Sequence, residues 1–80
     1  MRVEVRVMPK AGVLDPQGKA IAQALARLGY GGVADVRAGK VFRIEVDAKE
    51  PGAAREAGAR MAETLLSNPV IEDYEVEVKG

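Results

Sequence analysis

The chain of 80 residues contains no cysteine, histidine or tryptophan. These absences exclude disulfides, thiolate nucleophiles, imidazole bases and almost every transition-metal site. Ser67, Thr64 and Asn68 are the only residues of their types in the chain. A chain so poor in nucleophiles and general bases is not expected to be a self-sufficient enzyme.

Neither charge sign is in excess, and aromatic residues are few. Twelve basic residues balance twelve acidic ones, which argues against a strongly basic nucleic-acid binder. RNA-recognition modules stack bases on aromatic side chains of their central strands. Here Phe42 and Tyr74 have the parity of the core face, and Tyr30 falls in a loop. No nucleic-acid partner is therefore expected.

The length limits the chain to one small domain, residues 1–80. A chain of this size buries only about 60% of the surface that its unfolded form exposes. The resulting core supplies roughly 3–5 kcal/mol, and small natural domains usually add disulfides, a metal or a partner. Because the first two are excluded, we expect the chain to be an obligate or near-obligate oligomer.

No targeting or membrane signal is visible. The N-terminus opens on an alternating pattern rather than on the apolar region of a signal peptide. No apolar run approaches the length that spans a bilayer. A cytoplasmic location with no membrane partner is expected.

Alternation of apolar and polar residues predicts four strands. Val3, Val5 and Val7 share one face of the first of them, and Phe42, Ile44 and Val46 share one face of the third. The short separation of the second and third predicts a hairpin through Ala38-Gly39-Lys40. The strands are Arg2 to Met8, Val33 to Arg37, Val41 to Val46 and Val70 to Val78.

Two helices are predicted between these strands. Asp15-Pro16 is a helix start, because Asp15 can cap free N–H groups and proline suits the first helical position. Apolar residues at helical spacing follow, and Gly29 ends the helix. The second helix opens at Pro51-Gly52 and ends at Ser67-Asn68-Pro69.

The order β-α-β-β-α-β predicts an α+β fold: a two-layer sandwich, ferredoxin-like or related, with an antiparallel sheet and two helices on one face. The open face of the sheet should carry charged side chains. It should present Arg2, Glu4, Arg6, Arg43, Glu45, Glu75 and Glu77.

Two other families share this element order. An acylphosphatase needs an arginine in the first loop, where this chain has Lys10, and an asparagine that Asn68 does not supply at its position. An ACT-like regulatory domain binds small molecules through loop backbone and acidic groups. Gly12 and Asp15 lie in a suitable loop, so this alternative stays open.

Four stretches of unusual residues together resemble the PurS family. They are Val13-Leu14-Asp15-Pro16-Gln17-Gly18, Leu28-Gly29-Tyr30, Asp35-Val36-Arg37 with Gly39-Lys40, and Asn68-Pro69-Val70-Ile71-Glu72-Asp73-Tyr74. The resemblance runs through the whole chain in order and spacing. One departure is the first loop, Pro9-Lys10-Ala11-Gly12, where many members have a leucine-lysine pair.

The resemblance implies an assembly subunit of phosphoribosylformylglycinamidine synthase, in purine biosynthesis. In that family a large synthetase subunit uses ATP and Mg, a glutaminase subunit releases ammonia, and a PurS dimer bridges the two. The chain itself would then form a homodimer or a dimer of dimers, bind no cofactor or metal and hold no catalytic residue. The expected partner contacts are exposed polar residues of the matching stretches: Asp15, Gln17, Lys19, Arg37, Lys40, Glu72, Asp73 and Tyr74.

Overall fold

The central strand of the sheet is the first one in the chain. In the computed structural model, which describes all 80 residues, β1 (Arg2–Pro9) lies between β2 (Lys40–Glu45) and β3 (Glu72–Val78). Both neighbours pair with β1 in antiparallel register. The predicted α+β class and antiparallel sheet are confirmed.

The core lies between β1 and the second helix, α2 (Pro51–Met61). Val3, Val5 and Val7 are fully buried, as the alternation predicts, and Ala54 and Ala62 bury against them. Phe42 and Tyr74 pack at the margin of this core, on the predicted face. Small residues on α2 therefore bring the helix backbone close to the valines of the sheet.

The last part of the predicted second helix widens into a π-helical turn, Ala62–Leu66. The Ser67 hydroxyl donates to the Ala62 carbonyl oxygen at 2.9 Å and closes this turn. A short turn follows, in which the Ile71 N–H donates to the Asn68 carbonyl at 3.1 Å. For this reason β3 begins at Glu72 rather than at Val70.

The open face of the sheet carries the predicted ladder of charges. Arg6 Nη1 lies 2.8 Å from Glu77 Oε2, and Arg43 Nε lies 3.3 Å from Glu4 Oε2. The hydrogen bond from Arg6 lowers the pKa of Glu77 below its usual range. Arg43 is largely exposed and Arg6 and Glu77 are partly exposed, whereas Glu4 keeps only 15% of its side chain accessible. Because water and salt screen charges at such a surface, each pair contributes little to the stability of the fold.

The first helix, α1 (Pro16–Arg27), lies apart from the sheet and from α2, which it barely contacts. The molecule measures 49 × 25 × 14 Å, with a radius of gyration of 15.7 Å. A compact chain of this length would have a radius of about 12 Å. We call residues 16–37 the arm. Of the two helices expected on the sheet, only α2 covers it.

The second predicted strand is wrong as a strand of this sheet, and so is its hairpin. Val33–Arg37 pairs with no other segment, and the sheet has three strands. The backbone from Val33 to Gly39 contains no turn or bend and leads directly into β2. A hairpin would require the chain to reverse at Ala38-Gly39-Lys40, whereas here it runs straight through.

No helix of the structure is long and apolar enough to cross a membrane.

Candidate interaction site

The candidate residues from the sequence gather at one end of the sheet. There β1 ends, β2 and β3 begin, and the arm leaves and returns. Six of the eight candidates fall into two groups with different contacts, and Gln17 and Lys19 belong to neither. One group fastens the root of the arm, and the other forms a polar corner beside β3.

Asp15 joins the start of α1 to the chain that returns from it. Its Oδ1 accepts a hydrogen bond from the Gly18 N–H at 3.0 Å, which is the predicted helix cap. Its Oδ2 accepts from the Ala38 N–H at 2.8 Å. Because the backbone N–H groups of Gly18 and Ala38 stabilise the charged form, the pKa of Asp15 lies below its usual range.

Arg37 fastens the same root from the opposite direction. Its Nη1 donates to the Val13 carbonyl at 3.2 Å, and its Nη2 donates to the Lys10 carbonyl at 2.9 Å. Asp15 on the outgoing chain thus holds the returning chain, and Arg37 on the returning chain holds the outgoing one. We call these two residues and their four hydrogen bonds the clasp.

The clasp brings two backbones close together at Gly18. A Cβ atom built at this position would lie 2.1 Å from the Val36 carbonyl oxygen and 2.6 Å from Asp15 Oδ2. No real side chain tolerates such a distance to a backbone atom. The glycine of the Asp-Pro-Gln-Gly motif is therefore explained by contact between α1 and the returning chain.

The polar corner is formed by residues of the Asn68 to Tyr74 stretch and their partners. Glu72 Oε1 accepts from the Asn68 N–H at 2.7 Å, and Lys40 Nζ lies 4.0 Å from Glu72 Oε2. The Tyr74 hydroxyl donates to Glu63 Oε1 at 2.7 Å. This hydrogen bond to Glu63 raises the pKa of Tyr74 above its usual value.

Lys10 links the corner to the clasp. Its Nζ lies 3.2 Å from Asp73 Oδ1, while its carbonyl accepts from Arg37. The resemblance leaves the role of Lys10 open, and no local pattern points to Glu63, whose partner Tyr74 lies on another element. Pairing of this kind depends on tertiary proximity, so neither contact follows from local pattern.

The candidate residues differ in whether their side chains have hydrogen-bond or ion-pair partners within the chain. Gln17 and Lys19 are exposed on α1 and make no side-chain hydrogen bond or ion pair within the chain. Asp73 and Lys40 are exposed and form only surface ion pairs. Asp15 and Arg37 instead fasten the root of the arm. The carboxylate on which the ACT-like alternative depended is thus engaged by backbone N–H groups.

We expect the clasp to weaken in acid. Since the pKa of Asp15 is lowered in the folded chain, its carboxylate stabilises the fold above the usual aspartate pKa of about 4. This contribution is lost as the pH falls through the lower, folded-state pKa. At neutral pH, Asp15→Asn should unfold at a lower urea concentration than the wild type. The difference between the two urea midpoints should become smaller at acid pH. A gap of constant size from neutral to acid pH would contradict the argument.

The features described so far define a class: small α+β proteins with a three-stranded antiparallel sheet, one covering helix and a helical arm fastened at its root. The family model PurS, described as phosphoribosylformylglycinamidine (FGAM) synthase, matches residues 2–80. The chain belongs to the PurS family.

Relatives and solved structures agree with this assignment. The FGAM synthase subunit PurS of Mycobacterium leprae is 49% identical over 75 residues, covering 94% of this chain and 91% of that protein. Methanocaldococcus jannaschii PurS superposes with a TM-score of 0.87 at 36% identity, covering 98% of this chain and 94% of that one. A chain of the Thermotoga maritima PurLQS structure gives 0.86 at 34% identity, covering 95% and 93%.

Proposed function

We propose that this chain is the assembly subunit of an FGAM synthase and works without an active site of its own. The match to the PurS model over residues 2–80 carries the proposal. Relatives of this length are named as subunits of the synthase, and one similar chain comes from a structure described as PurLQS. The absence of histidine and cysteine from the sequence agrees with a role other than imidazole or thiolate catalysis.

In the proposed complex the chemistry belongs to larger partners. A synthetase subunit, with ATP and Mg, converts formylglycinamide ribonucleotide to the amidine and releases ADP and phosphate. A glutaminase subunit hydrolyses glutamine to glutamate and supplies the ammonia. A dimer of this chain bridges the two and holds their sites in a geometry that permits ammonia transfer. Tethering of this kind raises effective concentration without any reactive group on the tether.

The site offers a surface for such contacts. Gln17 and Lys19 on the arm present polar groups with no partner in the chain, and Lys40 and Asp73 at the corner present exposed groups held only by surface ion pairs. Lys40 and Asp73 line an open depression of about 430 Å³, together with the apolar side chains of Met8 and Val41. Exposed polar groups around an apolar hollow suit a protein contact, in which a buried centre is ringed by polar residues. Asp15, Arg37, Glu72 and Tyr74 support this surface through their internal hydrogen bonds.

Reconstitution tests the proposal. The synthetase and glutaminase subunits are mixed with and without this chain, and amidine formation is measured with glutamine as the nitrogen source. Omission of the chain should reduce the glutamine-dependent rate by at least tenfold, because ammonia is then lost to solution. Ammonium salt in place of glutamine is the control and should restore the rate, since it bypasses the transfer.

Two results would overturn the proposal. One is a full glutamine-dependent rate in the mixture that lacks the chain. The other is amidine formation or glutamine hydrolysis by the purified chain alone, which would show an active site where none is proposed.

A further inference from the structure

The outer edge of β3 is open along its whole length. β3 pairs with β1 on one side, through seven consecutive residue pairs, and no strand lies on its other side. It contains no proline and no lysine, which are among the residues that protect natural sheet edges. An open edge of this kind can accept a further strand from another chain.

Alternate residues of β3 direct their backbone groups to this edge. Just before the strand, the Ile71 carbonyl accepts from the Lys10 N–H at 2.8 Å, and just after it the Lys79 N–H donates to the β1 strand at 2.8 Å. Backbone groups alternate in direction along a strand, so the odd-numbered residues of β3 face β1 and the even-numbered ones face outward. No backbone group of the chain pairs with three of these outward residues. They are Tyr74, Val76 and Val78.

The side chains along this edge are acidic. β3 has four carboxylates in seven residues and no basic residue. Asp73, Glu75 and Glu77 lie in a row on the open face, with 70%, 77% and 42% of their side chains accessible. Their ion-pair partners lie on β1 or just beyond the ends of β1 and β3: Arg6, Lys10 and Lys79. No cation of the chain therefore reaches the row from its outer side.

We infer that the β3 edge binds an extended segment of one of the larger synthase subunits, and that this segment carries lysine or arginine at alternate positions. The inference rests on the proposed function and names a surface that meets the partner. The basic residues would lie opposite the row of carboxylates and form cross-strand ion pairs. On the other face Tyr74, Val76 and Val78 are half-buried, so apolar residues at the intervening positions would extend the core. In this mode of binding, main-chain hydrogen bonds give affinity and alternate side chains give specificity.

The same acidity opposes pairing with β3 of a second copy. In an antiparallel pair, all three outward residues find partners only when Val76 lies opposite Val76. This register sets Glu75 opposite Glu77 twice at the centre of the pair, and like charges directly opposite are destabilising. Its favourable pairs, Asp73 opposite Lys79, lie at the ends, and both residues already have ion-pair partners within the chain. A basic strand meets no such repulsion.

Hydrogen exchange in the reconstituted synthase tests the inference. The chain is exposed to deuterated water alone and in complex with the synthetase and glutaminase subunits, and exchange is measured for each amide. The amides of Tyr74, Val76 and Val78 should exchange at least tenfold more slowly in the complex, because they become hydrogen-bonded there. The amides of Glu75 and Glu77 face β1 in both states and are the internal control.

Val78→Pro removes one of the outward N–H groups. Proline is tolerated in an edge strand where its nitrogen faces away from the sheet. The variant should raise the dissociation constant of the complex, measured by sedimentation, at least tenfold. Val78→Ala also shortens the side chain but keeps the N–H, so it is the matched control and should bind like the wild type. Far-ultraviolet circular dichroism should show that both variants are folded.

Glu75→Lys tests the charge of the partner segment. The variant places a cation in the middle of the row of carboxylates and should raise the same dissociation constant at least tenfold. Glu75→Gln removes the charge without reversing it and should have a smaller effect. Glu56→Lys makes the same change of charge on the exposed side of α2, away from the edge, and should leave the dissociation constant unchanged.

Three results would overturn the inference without touching the assembly role. One is a complex in which the three outward amides exchange as fast as in the isolated chain. Another is binding of Val78→Pro and Glu75→Lys as tight as that of their controls. The third is protection of the outward amides in the isolated chain that rises with its concentration, which would place a second copy at the edge. Failure of the three subunits to form a complex would instead overturn the proposed function, and the inference with it.

Discussion

Gly58→Ala is expected to destabilise the fold by roughly 1–3 kcal/mol, the usual cost of overpacking a filled core. A Cβ atom at this position would lie 2.8 Å from Val3 Cγ1 and 2.9 Å from Val76 Cγ1. Both contacts are with side chains of the sheet, so α2 must move outward or the valines must leave their preferred rotamers. The measurement is the free energy of unfolding in urea at one fixed protein concentration.

Helix propensity alone predicts that Gly58→Ala stabilises the fold, so the sign of the change in unfolding free energy decides between the two effects. Alanine in place of glycine in an exposed helix usually gains about 1 kcal/mol. Gly52→Ala, in the first turn of α2, is the matched control, because nothing lies within 4 Å of its added Cβ. It should be neutral or stabilising. A stabilised Gly58→Ala would show that α2 does not rest on β1 and β3 as described.

Gly18→Ala should open the clasp. Its added Cβ meets a backbone carbonyl oxygen, that of Val36, at 2.1 Å, and a backbone atom cannot rotate away as a side chain can. The start of α1 must therefore separate from the returning chain, which breaks the hydrogen bond from the Ala38 N–H to Asp15. We expect the free energy of unfolding to fall by roughly 1–3 kcal/mol. Hydrogen exchange at the Ala38 amide should be at least tenfold faster, since about 1.4 kcal/mol corresponds to a factor of ten.

Amide exchange separates local opening from global unfolding. In Gly18→Ala the amides of β1 should keep more of their protection than the Ala38 amide does, because α1 hardly contacts the sheet. In Gly58→Ala, by contrast, the amides of β1 should lose more protection than the Ala38 amide does. Unchanged exchange at Ala38 in Gly18→Ala would contradict the clasp.

The elements that the sequence predicts well are those whose pattern is local. The alternation around Val5 locates β1 and its buried face, and Asp15-Pro16 locates the start of α1. The charged open face follows from the same alternation. Each of these depends on periodicity or capping within a few residues, which a single sequence displays directly.

The prediction that failed depends on a partner rather than on a pattern. Val33–Arg37 has the alternation of a strand, but alternation does not say which strand pairs with it or in which chain. A hairpin through Gly39 and a straight passage through it satisfy the same local rules. The structure shows the straight passage, in which Val33–Arg37 pairs with no strand of its own sheet.

The sequence predicts which residues form the candidate site, but it does not predict which atoms they contact. Three of the four motif stretches lie together at one end of the sheet, and Leu28-Gly29-Tyr30 lies at the far end of the arm. Their roles differ, because Arg37 binds backbone carbonyls of the first loop, and Glu63 enters from the π-helical turn to meet Tyr74. Side-chain hydrogen bonds between elements that are distant in the chain produce no periodic pattern in the sequence.

The clasp also has a consequence for how the chain tolerates change in length. Because the arm is fastened where it leaves and where it returns, strain at its far end does not reach the sheet. That far end, around Gly29 and Gly32, is exposed, and both glycines have positive φ angles. A peptide tag or a fluorescent reporter spliced between them should leave the sheet and the covering helix undisturbed.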